Sequence, residues 1–347
     1  MKSLKDIALP ITEEEYRNDG CMHYSTIASF DRGGFSSLPT LFNKKESPSL
    51  LLGSIVDCLI TGTPEEFESQ YLVADYPECS DTIINIVKGL FNTYNETYKS
   101  ITDIPNSVII DITEQLKYQL NWKPDTRAKV IKEKGAEYYR LMFLSLNKTI
   151  VSSSMYNEAL ACVRALHTSP ATKNLFAADN PFEPEIERLY QLKFKETFDD
   201  ITYSIMADEI YVDHKKKIIL PIDLKTSFKH EYDFFKSFIE WSYSHQARNY
   251  YRVLKANIDK DDYFKDFTLL NWHFVVVNKE SLNPLVWEYK DTKKEGTLYY
   301  GKNNQIVIRD PFEIAKELKY YLDSNPSVPI GVSIDKPNDL IQFLNTL

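Results

Sequence analysis

The sequence predicts an α/β protein with an N-terminal helical elaboration. Three observations lead there. Residues 81 to 176 read as a succession of helices. The pattern changes near Pro181, after which short runs dominated by apolar and β-branched residues recur. One long aromatic helical stretch interrupts those runs, so the order is helices, then strand–strand–strand–helix–strand.

The elements follow in order. Thr12-Glu13-Glu14-Glu15 is a capping-box pattern and predicts a helix start. Gly33-Gly34 breaks the chain locally. Leu50 to Ile60 reads as a buried helix, stopped by Thr61-Gly62-Thr63-Pro64. Helices are predicted over Thr82 to Lys99, Asp111 to Leu120, Lys129 to Leu146 and Ser154 to Leu175. Strands are predicted over Arg188 to Phe194, Thr202 to Val212 and Lys217 to Lys225. Tyr232 to Leu254 reads as one long aromatic helix, followed by strands at Leu269 to Val277 and Leu285 to Tyr289. Two more helices are expected, Pro311 to Asp323 and Pro337 to Thr346, separated by Pro326 and Pro329.

Composition narrows the function classes. At 347 residues and 43% apolar, the chain is long and apolar enough to bury a sizeable core, as one large domain or two small ones. The net charge of −9 excludes a generally basic protein that coats nucleic acid, but not a local basic groove. Lys123 to Lys148 is such a candidate, with seven Lys or Arg against three Asp or Glu; a solvated helix face fits it equally. The most apolar stretch, Leu50 to Ile60, is too short to span a membrane and carries Asp57. The N-terminus turns acidic early and lacks the apolar core of a signal peptide, and the four cysteines are widely spaced. Both features predict a cytoplasmic protein with reduced thiols and no membrane partner. There is no GxSxG, no Walker A and no HExxH, which disfavours a serine nucleophile, a built-in ATPase and a zinc site.

The chemistry concentrates in MADEIYVDHKKKIILPIDLKTS. Two strands flank a polar turn at His214 and Lys215. With the hairpin centred there, Asp208 lies opposite Pro221 and Met206 opposite Asp223. Side chains alternate along each strand, so Asp208, Asp223 and Lys225 share one sheet face. Apolar packing does not need two carboxylates and an ammonium together. Two oxygen donors with no histidine or thiol beside them suit a hard cation, Mg²⁺ or Mn²⁺. Such an ion can polarise a phosphoryl oxygen, and a lysine on the same face can orient water or offset negative charge. A surface hairpin with an Asp–Lys ion pair also fits the pattern, but the IILPI run puts Asp223 at the end of a buried strand.

Asp208, the IDLKT run from Ile222 to Thr226, and Gln246-x-x-x-Tyr250 together resemble the PD-(D/E)XK nuclease superfamily, in its RecE-like and RecB-like phage exonuclease branch. The spacing fits: 15 residues from Asp208 to Asp223, then 21 from Lys225 to Gln246. Gly53-Ser54-Ile55-Val56-Asp57 is similar to the family's G-x-x-x-H helix, with Asp57 where the family has a metal-binding histidine. The resemblance covers roughly Leu50 to Tyr250 and is dense only from Asp208 onward. It implies a restriction-endonuclease-like core, a central mixed sheet flanked by helices. The corresponding organisation is a mainly helical part (1–178), a nuclease core (179–290) and a C-terminal extension packed on it (291–347).

By the same resemblance, Asp208 and Asp223 hold the metal, with Asp57 as a further oxygen ligand. Lys225 positions or activates the attacking water. Gln246 and Tyr250, one helical turn apart, support the site and touch the DNA strand. Tyr250 fits core packing nearly as well. Glu185, Glu187, Thr226, Ser227 and Lys215 to Lys217 are peripheral candidates, each with a simpler structural reading. The implied function is a metal-dependent DNA exonuclease acting at double-stranded ends in phage-type recombination or DNA processing. Its implied partners are DNA, a single-strand annealing protein and further copies of itself in a ring. A non-catalytic DNA-binding or virion structural protein on a nuclease fold is one alternative. A restriction-type endonuclease is the other.

Overall fold

The structure is a computed structural model that describes residues 1–42, 47–178, 180–290, 296–300 and 304–324. The chain forms two compact units, 1–61 together with 161–347, and 62–160. The expected boundary at 178/179 falls inside the first of these.

Short helices open the chain. α1 (Glu13–Arg17) starts on a reciprocal cap: Glu15 N donates to Thr12 Oγ1 at 3.1 Å, and Thr12 N donates to Glu15 Oε2 at 2.7 Å. α2 (Tyr24–Gly33) stops at Gly34, whose φ of +53° is left-handed. α3 (Pro48–Thr61) contains the expected buried helix, with Leu52, Ile55 and Val56 inside. α4 (Pro64–Gln70) begins on a Thr63 cap, with proline in its first turn.

The 62–160 unit continues from α4 with β1 (Tyr71–Val73), α5 (Asp81–Tyr94), α6 (Asn106–Gln115), α7 (Pro124–Leu144) and β2 (Thr149–Val151). α8 (Ser153–Thr168) follows. β1 and β2 pair in parallel. The sequence reading misses both, because three residues carry no detectable alternation. α5, α6 and α7 enclose an apolar cluster that includes Ile86, Leu90, Ile109, Ile131 and Tyr139. α6 starts earlier than expected, directly after Pro105, and gives way to left-handed residues at Lys117 and Gln119. α8 ends at Thr168 rather than near Leu175 because Ser169 precedes Pro170. The basic stretch is largely α7, and its Arg127 is buried, donating to Glu114 at 2.8 Å. That residue is not available to an outward basic face.

The first unit is built on a sheet. Its elements are β3 (Ile186–Phe198), β4 (Ile201–Asp213), β5 (Ile218–Ser227), α9 (Phe234–Glu240), α10 (Tyr243–Asp259), β6 (Thr268–Leu269), β7 (His273–Asn278) and β8 (Leu285–Glu288). β9 (Gly296–Tyr300) and β10 (Asn304–Ile308) form a separate hairpin, and α11 (Pro311–Ser324) follows. The strand order is β3-β4-β5-β7-β8, with β6 also on β5. β3, β4 and β5 run antiparallel, β7 runs parallel to β5, and β8 is antiparallel to β7. The class is thus mixed α/β, with a central mixed sheet flanked by helices. Ile210, Val212, Ile219, Phe274, Val253 and Leu318 belong to its core.

Two expectations are corrected. The single strand at 269–277 is β6 and β7, interrupted where buried Trp272 turns its ring against Tyr250, 5.2 Å away. The single helix at 232–254 is α9 and α10, separated by Ser242 in the left-handed conformation at φ +55°. The expected helix 337–346 lies outside the described residues. Among the described residues, no helix is long and apolar enough to cross a membrane.

Candidate active site

The β4–β5 hairpin closes through a four-residue loop, 214–217. Lys216 N donates to Asp213 Oδ1 at 2.8 Å, and Lys217 takes φ +53°. Ile210 therefore faces Pro221, two places from the expected pairing of Asp208 with Pro221. A slip of two preserves the side-chain alternation, so the expected shared face survives the corrected register.

The ladder stops at Glu209 opposite Ile222, one pair short of Asp208 and Asp223. From Ile222 onward β5 is paired on its other side with β7. The strands diverge there, and Asp208 stands in the fork, where Leu224 N donates to its Oδ2 at 2.9 Å. Asp223 is 1% exposed. Its Oδ2 lies 2.6 Å from Lys225 Nζ, and its Oδ1 accepts a hydrogen bond from Gln246 Nε2. The ammonium also stands 4.9 Å from the ring centroid of Tyr243. The sequence-predicted Asp208, Asp223, Lys225 and Gln246 are brought together.

Asp57 joins them from α3. Gly53 lets that helix come close to β5, since a Cβ there would sit 3.2 Å from Thr226 Oγ1. Asp57 follows one turn later. Gln191 Nε2 donates to both its oxygens, at 2.8 and 3.0 Å. Gln191 interrupts the β3–β4 ladder between Tyr190 and Leu192, at φ +53°, in register with Asp208. A non-glycine residue in that conformation inside a strand is strained. The sequence reading misses Gln191, because nothing in YQLKF announces a left-handed residue.

Tyr250 is buried. Its ring meets Tyr24 and Trp272 edge-on, and its hydroxyl shares a hydrogen bond with Tyr16. Core packing therefore accounts for the ring. Glu187 Oε2 accepts from His214 Nε2 at 2.9 Å beside the hairpin loop, away from Asp208, so it does not belong to the cluster. The Glu185 carbonyl accepts from His214 N in the same region. Ser227 Oγ donates to the Lys229 carbonyl and accepts from Lys229 N, making a turn. Lys216 pairs with Asp213.

Electrostatics follow from this crowding. Burial, then the charges of Asp223 and Asp57, push Asp208 well above the ordinary carboxyl range. Burial, then the charges of Glu13 and Asp223, push Asp57 up to about 7. Burial raises Asp223 against the pull of Lys225 and Gln246. Burial pulls the Lys225 ammonium down, but the adjoining Asp223 outweighs it and holds it above its usual value. Lys225 thus stays cationic at neutral pH.

The donor set fits a hard divalent cation. Asp208 and Asp223 offer carboxylate oxygens, their mutual repulsion is only partly offset by one ammonium, and Gln246 Oε1 is buried without a hydrogen-bond partner. Among the described residues, no group of three or more acidic, histidine or cysteine side chains is placed to hold a metal ion, so Asp57 does not complete a three-carboxylate site with Asp208 and Asp223 in this arrangement. Mg²⁺ does not need one, since it is usually held by one or two carboxylates together with water and substrate phosphate.

No family model matches the chain, and no curated protein matches it. Among solved structures it is similar to one named "Putative exonuclease", from Eubacterium rectale. Identity is 11% and the TM-score 0.38, over 92% of this chain and 85% of that one.

Proposed function

We propose that this protein is a metal-dependent DNA exonuclease that hydrolyses phosphodiester bonds, acting at double-stranded ends. The observation that carries the reading is the assembly in the β4–β5 fork, where Asp223 is gripped at once by Lys225, at 2.6 Å, and by Gln246. Asp208 and Asp223 would hold a divalent cation, which would supply Lewis acidity for phosphodiester hydrolysis. Lys225, kept protonated by Asp223, donates to a phosphate oxygen or orients the attacking water. It stabilises developing charge and does not act as a base. Gln246 holds Asp223 in one orientation from α10. Asp57, held by Gln191, would have to move toward the pair to serve as a further oxygen donor once the metal is bound. Recombination or DNA processing, with an annealing protein and a ring of identical copies, is the setting in which such an enzyme would act.

The test is a degradation time course on linear and closed circular duplex DNA with Mg²⁺ or Mn²⁺. An EDTA control and Asp223→Asn run in parallel. The expected result is metal-dependent loss of the linear form alone, absent in the variant. Cutting of the circle would replace this reading with an endonuclease. No cutting under any condition would leave a non-catalytic DNA-binding or virion protein.

A further inference from the structure

The connection from β5 to α10 begins three residues after Lys225 and ends just before Tyr243, the ring beneath that ammonium. It leaves the candidate site and returns to it. Along this connection Phe228, Tyr232, Phe235 and Trp241 are all exposed, Tyr232 to 76%. Exposed aromatics gathered on one segment are not what a folded core requires.

The segment is held in shape. Asn278 Nδ2 donates to the carbonyls of Ser227 and Lys229, at 3.2 and 2.7 Å. Lys229 Nζ lies 2.6 Å from Glu240 Oε2 and ties the start of the segment to its end, beside Trp241. The His230 and Tyr232 rings stack with an interplanar angle of 6° and centroids 5.2 Å apart. Cations stand over two of the rings: Lys279 Nζ is 4.5 Å from the Phe228 centroid, and the Arg32 guanidinium carbon is 5.6 Å from that of Trp241.

We infer that this segment is a stacking platform for the unpaired bases of a nucleic-acid strand whose phosphate lies in the β4–β5 fork. Every base has a π-face, so flat exposed rings take bases of any sequence, and flanking cations take the backbone. Phe228 follows β5 three residues after Lys225, and the segment returns to Tyr243 beneath that ammonium, so both of its ends adjoin the fork. Within a duplex, all bases but the terminal pair show only their edges, so a run of several exposed rings suits unpaired bases. The occupant is therefore a strand freed from its partner at a DNA end. This inference rests on the nuclease reading for the identity of the ligand and deepens it.

The test is binding of a fluorescently labelled single-stranded oligonucleotide, and of a blunt duplex of the same sequence, in EDTA so that neither is cut. Wild-type protein is compared with Tyr232→Ala, Phe228→Ala and Tyr232→Phe. Each alanine variant should bind the single strand about 5- to 150-fold more weakly, matching the loss of about 1–3 kcal/mol of stacking per base. Tyr232→Phe should bind as wild type does, because the ring and not the hydroxyl makes the contact. Duplex binding should change little. Unchanged single-strand binding in both alanine variants would overturn the inference. So would an alanine-sensitive self-association measured by sedimentation with oligonucleotide binding unaltered, which would assign the surface to a second copy. If the variants lose single-strand binding but the wild-type protein cuts no DNA with Mg²⁺ or Mn²⁺, the platform stands and the nuclease reading falls.

Discussion

Gln191 reaches Asp57 with one amide nitrogen, 2.8 and 3.0 Å from its two carboxylate oxygens, from a backbone held at φ +53° inside a strand. The strain and the contact are linked. A regular β3 would keep Gln191 in the ladder opposite Asp208, whereas the left-handed turn takes it out of the pairing and turns its amide to the helix that carries Asp57.

Gln191→Gly and Gln191→Ala separate the backbone effect from the side-chain contact. Both remove the amide, but glycine adopts φ +53° without penalty and alanine does not. The glycine variant should be about 1–2 kcal/mol more stable than the alanine variant in urea unfolding. Equal stabilities would mean that the left-handed conformation stores no strain.

Asp57→Ala tests the proposal that Asp57, whose charge acts on Asp208, is a further oxygen donor to the metal. The Mg²⁺ concentration needed for half-maximal cleavage should rise. An unaltered metal requirement would place Asp57 outside the metal's ligands.

Lys225→Ala should lower the rate of cleavage by about 10²- to 10³-fold, the usual loss when one preorganised electrostatic donor is removed. Circular dichroism should remain near wild type. Asp223→Asn should lower the rate at least as far, since the carboxamide presents only one oxygen and no negative charge. Single-turnover rates on a linear duplex check both.

Glu209 is 2% exposed, and neither carboxylate oxygen has a hydrogen-bond partner among the described residues. Burial raises it from 4.5 to about 8. Between those values the folded chain keeps a proton that the unfolded chain releases, so stability falls as pH rises through this window. Glu209→Gln has no such dependence. Its advantage in unfolding free energy should be small near pH 5 and reach a few kcal/mol, order of magnitude, by about pH 8. A difference that does not grow with pH would show that Glu209 is ionised in the folded state.

Ser242 adopts φ +55° between α9 and α10, and its hydroxyl makes no cap hydrogen bond. Ser242→Gly should raise stability by up to about 1 kcal/mol in thermal or urea unfolding, with Gln246 undisturbed. Loss of stability would show that the serine contributes more than its backbone conformation costs.

Much of the arrangement was legible along the chain. Strand alternation put Asp208, Asp223 and Lys225 on one face, and that inference tolerated a register two residues out because parity is unchanged. The i, i+4 spacing put Gln246 and Tyr250 on one helix face, and the Thr12–Glu15 pair announced its own cap. These are local rules, and each is written in the spacing of a few residues. Tertiary structure alone decided that β4 and β5 diverge immediately beyond Glu209, that Ser242 breaks the aromatic helix, and that Gln191 leaves its ladder for Asp57. Each of these balances a local backbone cost of about 1–2 kcal/mol against packing and hydrogen bonds to residues far away in sequence, and no local pattern records such a balance.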